Sequence, residues 1–234
     1  MHELDESASK GTDGHAVRAR VGGSAVASAC RAGGGHGWWI NVGVQAVVFA
    51  IVVIAGASLG GCSSGGQDTN PALLVSQAGQ TGAAVDDIPS SAAEQTQFHI
   101  HTHLQIYVNG AQKLIPYGVG IVAPYQLTRS QNGPFVNGGK AFYWLHTHDE
   151  TGVIHIESPV RRGFTLGNFF DIWGQPLSPD QVGPAHGTVT AFINGQPVSG
   201  NPRGIELYPH AVIQLNVGIP TVPPQPYTFA PDLS

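Results

Sequence analysis

A chain of 234 residues with 32 Gly and 17 Pro has room for one modest domain plus non-globular segments rather than for two domains. Charged residues make up 11 % and the net charge is −5, which excludes the basic stripe that tracks nucleic-acid phosphates. Cys30, Cys62 and Met1 are the sulfur-bearing residues, so the chain beyond residue 62 has neither a disulfide nor a sulfur ligand for a metal.

Residues 32–67 carry no charge, and within them WWINVGVQAVVFAIVVIAGASL (38–59) is long enough to cross a bilayer. Arg18, Arg20 and Arg31 precede it, the bias expected of a cytoplasmic N-terminus. The apolar run ends in LGGCSS, which resembles a bacterial lipobox, whose cysteine thiol accepts diacylglycerol. The expectation is a leader over 1–61 and lipidation at Cys62. The membrane is then the partner, and the chain beyond the anchor faces outside the cytoplasm. An uncleaved single-span anchor is the alternative. Residues 62–97 begin with the lipidated cysteine and continue in Gly, Ser, Ala and Gln with little apolar periodicity. They read as a flexible tether, whose 35 residues after the cysteine reach roughly 30–35 Å.

The globular domain is expected over 98–234, where period-2 alternation dominates. In HIHTHLQIYVNG (99–110), Ile100, Leu104, Ile106 and Val108 point one way and His99, His101, His103, Gln105 and Tyr107 the other. Asn109-Gly110 predicts a two-residue hairpin turn. Residues 117–140 read as a Gly-rich loop, and AFYWLHTH-DETG-VIHIES as a second hairpin. Leu166, Phe169, Phe170 and Trp173 at i, i+3, i+4 and i+7 predict a helix that stops at Gly174, its aromatic stripe buried in the core. TVTAFINGQPV gives another strand with an Asn-Gly turn, IELYPHAVIQLNVG one or two more, and IPTVPPQPYTFAPDLS a Pro-rich strap lying extended over the surface. The fold class is therefore α+β, mainly antiparallel β with one short amphipathic helix. A β-grasp-like arrangement is preferred, with a small β-sandwich or barrel as alternative.

The chemistry lies in the histidines. Side chains at i and i+2 of a strand share a face about 6.6–6.8 Å apart, and two imidazoles at that spacing can converge on one ion through bonds of about 2.0–2.1 Å. Three from one straight strand would be strained. The expected pair is His101 and His103, with His99 peripheral or substituting. In the second hairpin, a turn at DETG sets His146 opposite His155 and Trp144 opposite Glu157, so that His146, His148, His155 and Glu157 share a face. The candidate ligands are thus His99, His101, His103, His146, His148 and His155. His186 and His210 read as ordinary loop residues. The HTHDET stretch lacks the spacing of a metallo-β-lactamase or a cupin signature; its HTH echoes amidohydrolase openings, but those need a much larger α/β barrel.

The runs HIHTHLQIYVNG, LHTHDETGVIHIESP and FTLGNFFDIWGQPL resemble a family of exported or membrane-anchored bacterial and archaeal proteins, over most of 98–220. The resemblance implies that the histidines and the helix belong to one domain type; it transfers no mechanism.

With no Cys or Met in the domain, Zn(II) and Cu(II) are the expected cofactors. The first functional expectation is a membrane-anchored extracytoplasmic domain that binds one of them for sequestration, delivery or sensing. The second is a metal-dependent enzyme with a three-His site and an open water position, Glu157, Glu150 or Asp149 acting as base or orienter. The third is a non-catalytic envelope interaction module.

Overall fold

The computed structural model describes residues 70–76 and 79–233. The apolar segment 38–59 and Cys62 lie outside them. Among the described residues, no helix is long and apolar enough to cross a membrane.

Seven strands build the main sheet: β1 (Phe98–Val108), β2 (Ala111–Lys113), β3 (Leu145–His146), β4 (Val153–Ser158), β5 (Val189–Ile193), β6 (Gln196–Val198) and β7 (Val212–Val217). Their order is β6-β5-β7-β1-β4-β3, with β2 paired to the far end of β1. The first long strand, β1, and the last, β7, run parallel in the middle, and every other pairing in this sheet is antiparallel. With one short α-helix and no closed barrel among the described residues, the domain is α+β and mainly antiparallel, as its alternation requires. Both Asn-Gly signals form their turns. Asn109 and Gly110 have φ of 50° and 81°, Asn194 and Gly195 of 48° and 80°, the left-handed pair that joins strands through two residues.

The helix α1 (Leu166–Trp173) starts where Thr165 and Asn168 cap each other's backbone amides and ends at Gly174, left-handed with φ 72°. Its Leu166, Phe169, Phe170 and Trp173 are fully buried with Leu104, Ile106, Ile154, Ile156, Ile213 and Leu215 of the sheet. Register explains the match. Ile213 pairs with Leu104 and Leu215 with Ile106, so the apolar alternations of β1 and β7 fall on one face. Burying one such side chain contributes about 1.5–3 kcal/mol.

The other face carries His101, His103, Gln105, Tyr107, Gln214 and Asn216, all buried. The strap covers part of it. Gln214 donates to the Val222 carbonyl at 2.9 Å and accepts from the Gln225 amide at 2.8 Å, while Asn216 accepts from the Val222 amide at 2.9 Å. A Pro-rich segment can offer few amide donors, and these side chains satisfy its carbonyls in place of a neighbouring strand.

Three expectations are corrected. The tether does not extend to residue 97: Leu73, Leu74 and Ile88 are buried, and Ser90–Ser91 pairs with Ala141–Tyr143. These few apolar residues are too widely spaced to show periodicity. The loop 117–140 contains a hairpin, Gln126–Ser130 with Gly133–Gly138, seated by Val136 in a small cluster with Ile121 and Phe142. The segment 141–148 is not one strand, because 141–143 joins another sheet and only Leu145–His146 stays with β4.

Candidate metal centre

Three histidines lie side by side across three strands. His146 on β3 pairs with His155 on β4, and His155 pairs with His101 on β1, all on the face away from the helix. Next along the strands, His99 pairs with Glu157, whose amide donates to the Trp144 carbonyl at 2.7 Å, as the turn register requires. The loop joining β3 to β4 is held against β1 at Gly152. Its carbonyl accepts from the Leu104 amide at 2.9 Å, and a Cβ there would stand 2.3 Å from the Leu104 oxygen. Only glycine fits this approach, with φ at 85°.

Two overlapping groups can each hold a metal ion. His146, His148, His155 and Glu157 form one; His99, His101 and His155 form the other. In each group one ligand atom per residue falls within 4.8 Å of all the rest. His146 is fully buried and His148 and Glu157 nearly so, whereas His99 is 38 % exposed.

Backbone carbonyls set the tautomers. His146 Nδ1 lies 2.9 Å from the Tyr143 carbonyl and His148 Nδ1 2.6 Å from that of Val136. His101 Nδ1 lies 2.9 Å from the carbonyl of Leu233 at the end of the strap. A carbonyl only accepts, so each Nδ1 carries its hydrogen, and each neutral ring keeps its lone pair on Nε2. His146 Nε2 and His148 Nε2 stand 3.2 Å apart, so that in this tautomer two lone pairs face each other. A tetrahedral ion with bonds of about 2.0–2.1 Å spans adjacent ligands by about 3.3–3.4 Å. The pair sits at nearly that spacing. His101 Nε2 and Glu157 Oε2 are buried without a hydrogen-bond partner.

Burial favours the neutral form of His101, His146 and His155. Burial, then the neighbouring His148, pushes the pKa values of His146 and His155 well below the usual histidine range. Burial and then His99 lower that of His101. Neutral imidazole is the ligand form. Glu157 Oε1 lies 3.0 Å from His99 Nε2, 3.3 Å from His155 Nδ1 and 4.0 Å from His146 Nε2.

Not every expected residue belongs here. His103 shares the polar face but faces Val153 across the strands rather than a histidine. Its Nε2 meets the Thr151 carbonyl at 2.8 Å and its ring stacks on Tyr227 of the strap at 3.4 Å. The pair along β1 is accordingly His99 and His101, not His101 and His103. Asp149 is engaged in its own loop, accepting from the Thr151 amide at 3.0 Å, and Glu150 accepts from Asn70 at 3.3 Å. Neither is in a metal-holding group; of the three carboxylates singled out, Glu157 is. His210 shares the Leu233 carbonyl with His101, at 3.1 Å, and His186 is exposed.

Sequence reasoning missed Glu94. Its Oε1 lies 3.5 Å from His148 Nε2 and 3.9 Å from His146 Nε2. Burial, then Glu157, raises its carboxyl above the ordinary range. A lone glutamate in a polar stretch carries no motif. Beside the cluster opens a cleft of about 680 Å³, bordered by Glu94, His99, His148, His155, Phe135 and Tyr227. Phe135 stacks on His148 at 4.9 Å, which makes the 126–138 hairpin one wall. No protein-family model, curated protein or solved structure matches this chain.

Proposed function

We propose that this protein is a membrane-anchored, extracytoplasmic metal-binding protein that takes up Zn(II) or Cu(II) for sequestration, delivery or sensing. His146, His148, His155 and Glu157 are the ligands. The observation that carries the reading is the 3.2 Å approach of two imidazole nitrogens whose protons are committed elsewhere, to Tyr143 and Val136. Two facing lone pairs repel unless a cation or a shared proton lies between them, and burial disfavours the proton on His146. A set of three nitrogens and one oxygen suits Zn(II) and Cu(II). The LGGCSS pattern after an apolar run supports the anchor.

The test is elemental analysis and metal titration of the full chain purified without a His-tag. Stoichiometric Zn(II) or Cu(II) that disappears in His146→Gln supports the reading; a metal-free protein that binds neither ion defeats it. The anchor is tested separately. Cys62→Ala should accumulate a larger precursor without acyl label, and unchanged processing would remove the lipid assignment.

The cleft favours a second reading, a metal-dependent enzyme. Three imidazoles on an ion leave a position for water, and Glu94, at the mouth beside His148, is placed to take its proton. Hydrolytic turnover lost in Glu94→Gln with metal content unchanged would favour this reading over simple binding.

A further inference from the structure

We propose that the polar face holds two metal ions, with His155 shared between them as a bridging imidazolate. The inference rests on the single-ion reading above and adds a second position, formed by His99 and His101 with the other ring nitrogen of His155. Its ligands are again nitrogen, so the ion is of the same class, Zn(II) or Cu(II).

Three observations converge on it. His99, His101 and His155 bring one ligand atom each within 4.8 Å, and this group meets the first at His155 alone. His101, only 7 % exposed, has its Nδ1 hydrogen directed at the Leu233 carbonyl and its Nε2 buried with no hydrogen-bond partner. A buried acceptor left unmade is costly, and neither the strap nor the sheet supplies it a donor. Finally, His155 stands between the two sets. Its ring centroid is 4.6 Å from that of His101 on one neighbouring strand and 5.4 Å from that of His146 on the other, with His148 at 4.5 Å.

An imidazole offers nitrogens on two edges of its ring, so one side chain can address an ion on each side. When the second ion binds, His155 gives up its ring proton to solvent and keeps both nitrogen lone pairs as ligands. No other bond changes. Glu157 touches both sets, with Oε1 3.0 Å from His99 Nε2 and 3.3 Å from His155 Nδ1. The two positions differ in access. Both border the cleft, the first through His148 and the second through His99, the more exposed of the two.

The full chain, stripped by chelator and dialysed against Zn(II), should hold two ions, and His99→Gln and His101→Gln one each. His99 is at the surface, so its variant tests the second position without disturbing the core. Loaded with Cu(II), the wild type should show an electron paramagnetic resonance intensity well below that of two isolated ions, because the bridge couples them. His101→Gln should restore the signal of one isolated ion. One ion per wild-type chain would overturn the second position and leave the single-ion reading standing; no ion would overturn both. Two ions retained in both variants would place the second ion elsewhere. Two uncoupled Cu(II) signals would remove the shared His155. Each of these outcomes ends the proposal.

Discussion

The polar face of the main sheet has two ends, and both are buried. At the strap end, Gln105, Gln214 and Asn216 meet backbone groups of residues 222–225, donors against carbonyls and carbonyls against amides. At the histidine end, His146 Nε2 meets His148 Nε2, and His101 Nε2 meets nothing. One face of one sheet, joined through β1, thus yields a docking ladder at one end and a ligand set at the other. Burial of polar groups does not by itself mark a functional site. What marks it is that several ligand atoms, His146, His148 and His155 nitrogens and a Glu157 oxygen, converge within 4.8 Å of one another instead of each meeting a backbone partner.

The sharpest way to break this contrast is to remove one group from each end. His146→Gln should weaken Zn(II) or Cu(II) binding more than about 100-fold, since loss of a mere supporting partner already costs 10- to 100-fold. Gln105→Ala should leave the affinity unchanged. Calorimetric titration of both variants checks the pair, and equal losses would mean that the two ends are not distinct in kind.

Acid should separate the ends next. Burial lowers the pKa of His103 to about 4, whereas in the unfolded chain it stays near 6.5. Between these values the unfolded state binds the extra proton, so stability is complete above pH 6.5 and falls as pH drops toward 4. The loss from this residue is on the order of 3 kcal/mol. His101, His146 and His155 shift in the same direction and add to it. Urea unfolding of the metal-free protein across this range should show the decline, and His103→Gln should flatten it in part. A pH-independent midpoint would contradict the neutral, buried histidines.

Gln214→Ala tests the strap end alone. It removes three hydrogen bonds to residues 222–225, at 2.9, 3.3 and 2.8 Å, and should cost about 2 kcal/mol with no change in bound metal. The smallest effect is expected at Glu94, whose side chain is one-third exposed. Glu94→Gln should alter metal affinity less than tenfold, because its oxygen lies 3.5 Å or more from the nearest imidazole nitrogens. A larger drop would make Glu94 a ligand and redraw the cluster.

Much of this was legible without coordinates because strands impose a strict period of two. That period alone assigns Leu104 and Ile106 to one face and His99, His101 and His103 to the other, and the two Asn-Gly pairs fix their hairpins within a residue. The register of His146 against His155 followed from turn length, and the helix from its apolar spacing and its glycine stop. Those are local constraints, written in neighbouring residues. The pairing of β1 with β4 and β7 is not local. It decided that His101 completes the row with His155 while His103, one step further along, falls beside Val153 and under Tyr227. The docking of further segments with no motif of their own brought Glu94, the Val136 carbonyl and the Leu233 carbonyl to the imidazoles. Sequence alternation determined which side chains could share a face. Only the docking of distant segments determined which of their nitrogens were left without a donor, because a hydrogen bond depends on the partner that arrives and not on the residue that waits for it.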